Sequence, residues 1–326
     1  MGFVRLLPRS SSRRNGAVIE AERELLVSDL VPEPSAPDPI VEPVFVAPAA
    51  APILVRAPVV VPQAAVPGVV GSRVIAFANQ KGGVAKTTTT LNLGVAFKEM
   101  GYRVLLIDLD PQGNLTMSQG LNPDTIETSM FDVLVRKIPI SNVIARQEID
   151  LAVASIDLAG AELALSALIG RERSLEKALV EVRDSYDFIL IDTPPSLGLL
   201  TINAFVASTG VIVPVQCEYL ALRGLVQLEN TLAMVREHLN PRVGVEGIVA
   251  TMYDSRTLHA REAVEILEEN FGELVFKTRI RKTIRYAEAP VKGSSVLKYE
   301  PSGPAAEAYR DLAKEVLHGA QAREHA

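Results

Sequence analysis

Asn79-Gln80-Lys81-Gly82-Gly83-Val84-Ala85-Lys86-Thr87-Thr88-Thr89 is the stretch on which the fold turns. It follows a short apolar run, Val74 to Ala78. It precedes Thr88 to Met100, where Leu91, Leu93, Val95 and Ala96 supply the apolar positions of a helix closed by Gly101. A strand, a glycine-rich loop and a helix in that order form a phosphate cradle. Glycines let backbone N–H groups converge on one anion, and the helix N-terminus adds partial positive charge. The common form of this loop has glycine six residues before the lysine and again directly before it. Those places hold Gln80 and Ala85 here, whereas the deviant form Lys-Gly-Gly-x-x-Lys-Thr is met in full. Lys86 is expected to reach β- and γ-phosphates and Thr87 to ligate Mg2+. Lys81 adds a second cation to the same loop, and Gly82, Gly83, Val84, Ala85 and Thr88 complete the expected nucleotide-binding set. The competing reading is a glycine-rich turn that only joins strand to helix. The full match in this context argues against it.

Two further strand ends point the same way. Val104 to Ile107 is an apolar run followed by Asp108-Leu109-Asp110-Pro111-Gln112, and Phe188 to Ile191 is followed by Asp192-Thr193-Pro194-Pro195. Open parallel sheets bind ligands at the carboxyl ends of their strands. Acids placed there can hold Mg2+ or its waters and orient an attacking water. A single such Asp is as readily a helix cap or a turn residue; three beside a phosphate loop read as a site. More strands are expected at Leu151 to Ala154, Val211 to Val215 and Gly247 to Thr251. Helices are expected at Ala159 to Ile169, Ser174 to Val182, Leu222 to Leu239, His259 to Asn270 and Ala305 to Leu317. Continuous apolar strands alternating with helices predict an α/β fold: a doubly wound, mostly parallel sheet with helices on both faces. This P-loop unit would span residues 73–319, with a flexible tail at 320–326.

The first 72 residues are different. Prolines recur every few residues from Pro32 to Pro67 with valine and alanine between them, which blocks helix and central strand. A disordered, extended proline-rich segment is expected, preceded by a basic start with Arg5, Arg9, Arg13 and Arg14. A short helix over Ala21 to Leu30 is the alternative to a solvated tail there. Arg56 and the prolines count against a membrane segment at Ala49 to Val61. With 48% hydrophobic residues in 326, the chain can build a large core. A net charge of -6 means that any nucleic-acid contact must come from a local basic patch. Cys217 is the single cysteine, which excludes an internal disulfide and fits a reducing cytoplasm.

Taken together, the deviant loop, Ile107-Asp108-Leu109-Asp110-Pro111-Gln112-Gly113-Asn114 and Ile191-Asp192-Thr193-Pro194-Pro195-Ser196-Leu197 resemble the ParA/Soj branch of the ParA/MinD ATPases. Pro214-Val215-Gln216-Cys217-Glu218-Tyr219 and Thr251-Met252-Tyr253-Asp254-Ser255-Arg256-Thr257 extend the resemblance, which runs from about residue 73 to 318. It implies a Mg-dependent ATPase that forms an ATP-sandwich homodimer. By that resemblance Lys81 reaches into the partner's site, and Lys86 and Thr87 serve the bound nucleotide and Mg2+. Asp108 and Asp192 support the metal, Asp110 orients the hydrolytic water, and Met252 joins the nucleotide site. The resemblance further implies non-specific DNA binding, a ParB-type centromere-binding partner, partition of a chromosome or plasmid, and a cytoplasmic, nucleoid-associated protein. Two places depart from the family: Ala85, often glycine, and Ile280-Arg281-Lys282-Thr283-Ile284-Arg285, where the family has Ile-Pro-Arg-Asn-Val-Arg.

The basic residues Arg279, Arg281, Lys282 and Arg285, with Arg256 and Arg261, are the candidate DNA surface. A solvated charged face paired with Glu262 and Glu288 is the bland alternative. Two other classes compete. A MinD-like membrane-cycling ATPase would need a basic, bulky amphipathic terminal helix. Ala305 to Leu317 instead mixes Glu307, Arg310, Asp311, Lys314 and Glu315, and reads as a helix packed on its own domain, with no membrane role. A metabolic enzyme sharing the loop is the third; one cysteine excludes an iron–sulfur cluster bridging in the usual way, while a ligase-type relative stays open.

Overall fold

The computed structural model describes residues 72–218 and 221–324. Residues 1–71 of the expected proline-rich extension and the last two residues of the tail lie outside them. Eight strands form one sheet in the order β3-β4-β2-β5-β1-β6-β7-β8. They are β1 (Arg73–Phe77), β2 (Val104–Asp108), β3 (Ile144–Arg146), β4 (Asp150–Ala152), β5 (Phe188–Asp192), β6 (Gly210–Gln216), β7 (Val245–Tyr253) and β8 (Val275–Arg281). Every pairing is parallel except the β3–β4 hairpin at one edge. β2 and β5 are buried along their whole length, as expected of strands covered on both faces. The helices are α1 (Lys86–Glu99), α2 (Asn114–Met117), α3 (Ala161–Ser166), α4 (Ser174–Leu179), α5 (Leu199–Ala207), α6 (Ala221–His238), α7 (Leu258–Phe271), α8 (Arg285–Val291), α9 (Val296–Tyr299) and α10 (Pro304–Glu324).

The chain steps from β1 past the place of β5 to β2, fills that place later, and then moves to β6 on the other side of β1. The change of direction at β1 leaves a crevice above its carboxyl end, where the glycine-rich loop sits. Register fixes what lines that crevice. Asp108 pairs with Asp192 across β2 and β5, and Asp192 pairs with Phe77 across β5 and β1. The two carboxylates therefore stand side by side on neighbouring strands.

The opposite ends of β2 and β5 are pinned by Arg103. Its amide donates to Asp187 Oδ2 at 2.8 Å and its Nη2 to Oδ1 at 2.7 Å. Above that pair Phe97 of α1 stacks on Phe188 with ring centroids 4.2 Å apart, and Tyr102 meets both edge-on. Such ring pairs contribute about 1 kcal/mol beyond their buried area.

β8 was not expected as a strand. Its exposed Lys277 and Arg281 interrupt the apolar pattern because it is an edge strand, where charge discourages pairing with another chain. Glu315 of α10 closes part of that edge by accepting from the Lys277 and Thr278 amides at 2.7 Å each. α10 buries Tyr309, Leu312, Ala313 and Val316 against the domain. Its apolar face is thus consumed by packing, as its mixed polar face suggested. Among the described residues no helix is long and apolar enough to cross a membrane.

Candidate functional site

The loop after β1 is held in shape by its own backbone and by two side chains. Asn79 donates to the Pro214 carbonyl at 2.8 Å and accepts from the Lys81 amide at 3.0 Å, which ties the loop to β6. Thr251, at the end of β7, donates to the Val84 carbonyl at 3.0 Å. Gly82 and Gly83 are exposed, and Gly83 takes a left-handed φ of 74°. Ala85 takes one too, φ 65°, at the cap of α1, where the family's more usual glycine fits without strain. Thr88 sits half-buried in the first turn of α1, its carbonyl accepting from Asn92 at 2.7 Å.

Lys86 is 7% exposed and folds back over the loop, donating to the Asn79 carbonyl at 3.1 Å and the Lys81 carbonyl at 3.4 Å. Burial lowers its pKa, against the pull of Asp192 and Asp110. Thr87 donates to Asp192 Oδ2 at 2.6 Å. Burial raises Asp192 well above the usual carboxylate range, and the neighbouring Asp108 raises it further. Burial pushes Asp108 up to about 7 although Thr116 hydrogen bonds oppose it, and burial raises Asp110 as well. Three carboxylates thus share a water-poor space with a single ammonium group. That imbalance favours a divalent cation.

One atom marks where such a cation fits. Asp192 Oδ1 is buried and has no hydrogen-bond partner among the described residues. A buried acceptor without a donor is costly, and a metal ion or its water satisfies it. Thr87 and Asp192 together offer the one or two protein oxygens that Mg2+ takes when phosphates and water supply the rest. Among the described residues no group of three or more His, Cys, Asp and Glu side chains is arranged to hold a metal alone. Asp108, expected at the metal, is differently engaged: it accepts from Thr116 and from the Asp110 amide.

Lys81 is half-exposed and forms an ion pair with Glu218 of its own chain. Beside it a cavity of about 270 Å3 is lined by Asn79, Gln80, Lys81, Val84, Val215, Gln216 and Gly224. Met252 lies half-buried near the end of β7 with φ 52°, where the β7–β8 register shifts.

The basic residues are less uniform than the sequence suggested. Arg279 on β8 is the least accessible of them: its side chain is 16% exposed, is paired with Glu268 and lies near enough to Cys217 to act on its thiol. Arg256 is bound by Asp254 and Arg285 by Glu288 and Glu300. Arg281 and Lys282 are exposed and make no ion pair among the described residues.

Comparison with known proteins fixes the lineage of this geometry. A family profile described as an AAA domain matches residues 72–245. The sporulation initiation inhibitor protein Soj of Bacillus subtilis is 47% identical over 247 residues, which is 75% of this chain and 98% of Soj. The chain belongs to the ParA/Soj family. The chromosome partitioning protein ParA of Caulobacter vibrioides is 42% identical over 250 residues, covering 75% of this chain and 94% of that one. Among solved structures, cobyrinic acid a,c-diamide synthase from Mycobacterium smegmatis with bound ADP and magnesium is similar. It has a TM-score of 0.69 and 41% identity and covers 77% of this chain and 96% of that one.

Several groups that shape this ParA/Soj site were not singled out from sequence. Asn79, Thr116 and Thr251 act through hydrogen bonds, and Thr193 closes the end of β1 by donating to the Phe77 carbonyl at 2.7 Å. Asn79, Thr193 and Thr251 fall inside the motifs given above, so motif position was the available signal for them; Thr116 lies two residues beyond Asn114, where its motif ends, and carried no such signal.

Proposed function

We propose that the protein is an ATP-driven dimerisation switch that binds DNA without sequence preference and moves a chromosome or plasmid with a ParB-type partner. The observation that carries this reading is the cluster Lys86, Thr87, Asp110 and Asp192 at the crevice above β1, with Lys81 on the same loop. Support comes from relatives named as chromosome-partitioning proteins at 42% identity. The ATPase unit in this reading is residues 73–319, in a cytoplasmic, nucleoid-associated protein.

Gly82 to Thr88 hold the phosphates of ATP, Lys86 neutralises their charge, and Met252 stands on the side of β7. Thr87 and Asp192 hold Mg2+, which when bound spreads the charge of the phosphate oxygens. Asp110 orients the attacking water. Lys81 exchanges its own chain's Glu218 for the phosphates of a second copy as the homodimer forms. Arg281 and Lys282, supported by Arg256 and Arg285 where these leave their carboxylate partners, contact DNA phosphates; doubling the patch in the dimer makes DNA binding depend on ATP.

The test combines light scattering, ATP turnover and DNA co-sedimentation on one set of samples. Lys86→Ala is expected to lose ATP binding, dimer and DNA together. Asp110→Ala is expected to keep the dimer and lose turnover. Normal calorimetric ATP affinity in Lys86→Ala would refute the site. A second reading has one observation in its favour, the similarity to a structure described as a diamide synthase. Under that reading ATP would not promote co-sedimentation with DNA, so the same experiment separates the two.

A further inference from the structure

We infer that Asp108 and Thr116 are positioning residues for Asp110, and that Asp108 holds the Asp110 loop in place of a metal ion. The inference rests on the proposed role of Asp110 in orienting water. Both side chains are completely buried. Asp108 Oδ2 accepts from the Thr116 amide at 2.8 Å and from its hydroxyl at 2.7 Å, while Oδ1 accepts from the Asp110 amide at 3.1 Å. A carboxylate has about four acceptor positions, and three of these are filled from its own chain. The Thr116 hydroxyl has no freedom left either, since it accepts from the Ala154 amide at 3.0 Å just beyond β4.

These contacts enclose a short loop. It leaves β2 at Asp108, carries Asp110, turns at Gly113 with φ 61° and returns through Thr116 to the same carboxylate. Asp110 is fixed inside it, its Oδ1 accepting from the Gln112 amide at 3.0 Å and its carbonyl from the Gly113 amide at 2.8 Å. Ala154 then moors the closed loop to the neighbouring strand. Asp192, the register partner of Asp108, is the opposite case, with Oδ1 left without a donor among the described residues. The two strand-end acids therefore divide the work: Asp192 faces the cation, and Asp108 sets the geometry of the water-orienting group.

Four variants of the full chain test this: Thr116→Val, Thr116→Ser, Asp108→Asn and Asp192→Asn. Steady-state kinetics give kcat and KM for ATP, and a fluorescent ATP analogue titrated with Mg2+ gives the metal midpoint. Val matches Thr in shape without the hydroxyl. Asn keeps the size of Asp but turns a donor toward one of the donors that Asp108 accepts. Both are expected to lower kcat about tenfold or more, with KM and the Mg2+ midpoint within about twofold of the unaltered protein. Thr116→Ser restores most of kcat, which a purely packing role for the threonine would not predict. Asp192→Asn shifts the Mg2+ midpoint. If Thr116→Val fails to fold, Asp108→Asn carries the test alone. An unchanged kcat in the folded variants, or a Mg2+ midpoint raised by Asp108→Asn as by Asp192→Asn, overturns the inference. Absence of ATP turnover in the unaltered protein sinks the functional reading, and the inference with it.

Discussion

Replacing Ala85 by glycine should make the protein more stable, although glycine weakens a helix when it stands in the interior. Ala85 holds φ 65° and ψ 33° at the cap of α1, and its carbonyl accepts from the Thr89 amide at 2.9 Å. A residue with a Cβ costs about 1–2 kcal/mol in that region of backbone space. Glycine removes this cost but loosens the unfolded chain, which takes back about 0.4–1 kcal/mol. The difference leaves a net gain of about 0.5–1 kcal/mol, or a rise in Tm of roughly 1–4 °C for a domain of this size. The chain has no tryptophan, so far-UV circular dichroism during urea unfolding is the suitable probe. The midpoint should rise at constant m-value. Ala85→Val should fall by more than glycine gains, because a branched side chain is a poorer fit to positive φ. A lower midpoint for Ala85→Gly would show that the loop does not hold a left-handed residue at this place.

Replacing Arg281 and Lys282 together with alanine should weaken DNA binding equally for all sequences and flatten its salt dependence by about one unit of slope per lost phosphate contact; an unchanged slope moves the DNA surface elsewhere. Arg279→Ala should instead lower the unfolding midpoint, since it strands Glu268 and opens a packed space, and DNA binding by the folded fraction should be unaltered. Burial pushes the Cys217 thiol up to about 11, against the pull of Arg279. Labelling by a thiol reagent at pH 8 should therefore be roughly two orders of magnitude slower in native than in guanidinium-unfolded protein, and equal rates would contradict the burial. Burial would raise Asp187, but the Arg103 hydrogen bonds outweigh it and hold its pKa below the ordinary value. Its contribution is present above the unfolded carboxylate range and fades as pH falls through the lower folded value. Asp187→Asn should then cost most stability near pH 7 and progressively less toward pH 3, and a cost independent of pH would refute the pairing.

The parts of this fold that were legible in sequence share a cause. β1, β2 and β5 are covered on both faces and read as unbroken apolar runs, and the phosphate loop is contiguous, so a local pattern carries each of them. The pattern fails for a helix buried on every side and for a strand at the edge of the sheet. α5 is Leu-Leu-Thr-Ile-Asn-Ala-Phe-Val-Ala, with nearly every side chain buried, and a helix apolar on all sides shows no 3.6-residue stripe. β8 fails for the opposite reason, since an edge strand carries the charges that read as a basic run. At the site the limit is of another kind. Apolar strand followed by Asp describes Asp108 and Asp192 equally well, and sequence assigned both to the metal. What separates them is reach: Thr116 lies 8 residues from Asp108 along the chain, and the amide that fixes Thr116 lies 38 residues further on. Among the described residues the Asp192 carboxylate is met by the Thr87 hydroxyl alone, 105 residues away, and keeps one oxygen without a donor. A carboxylate's chemistry is decided by which donors the fold delivers to it, and two acids in the same local context receive different ones because the loops above their strands return to different places.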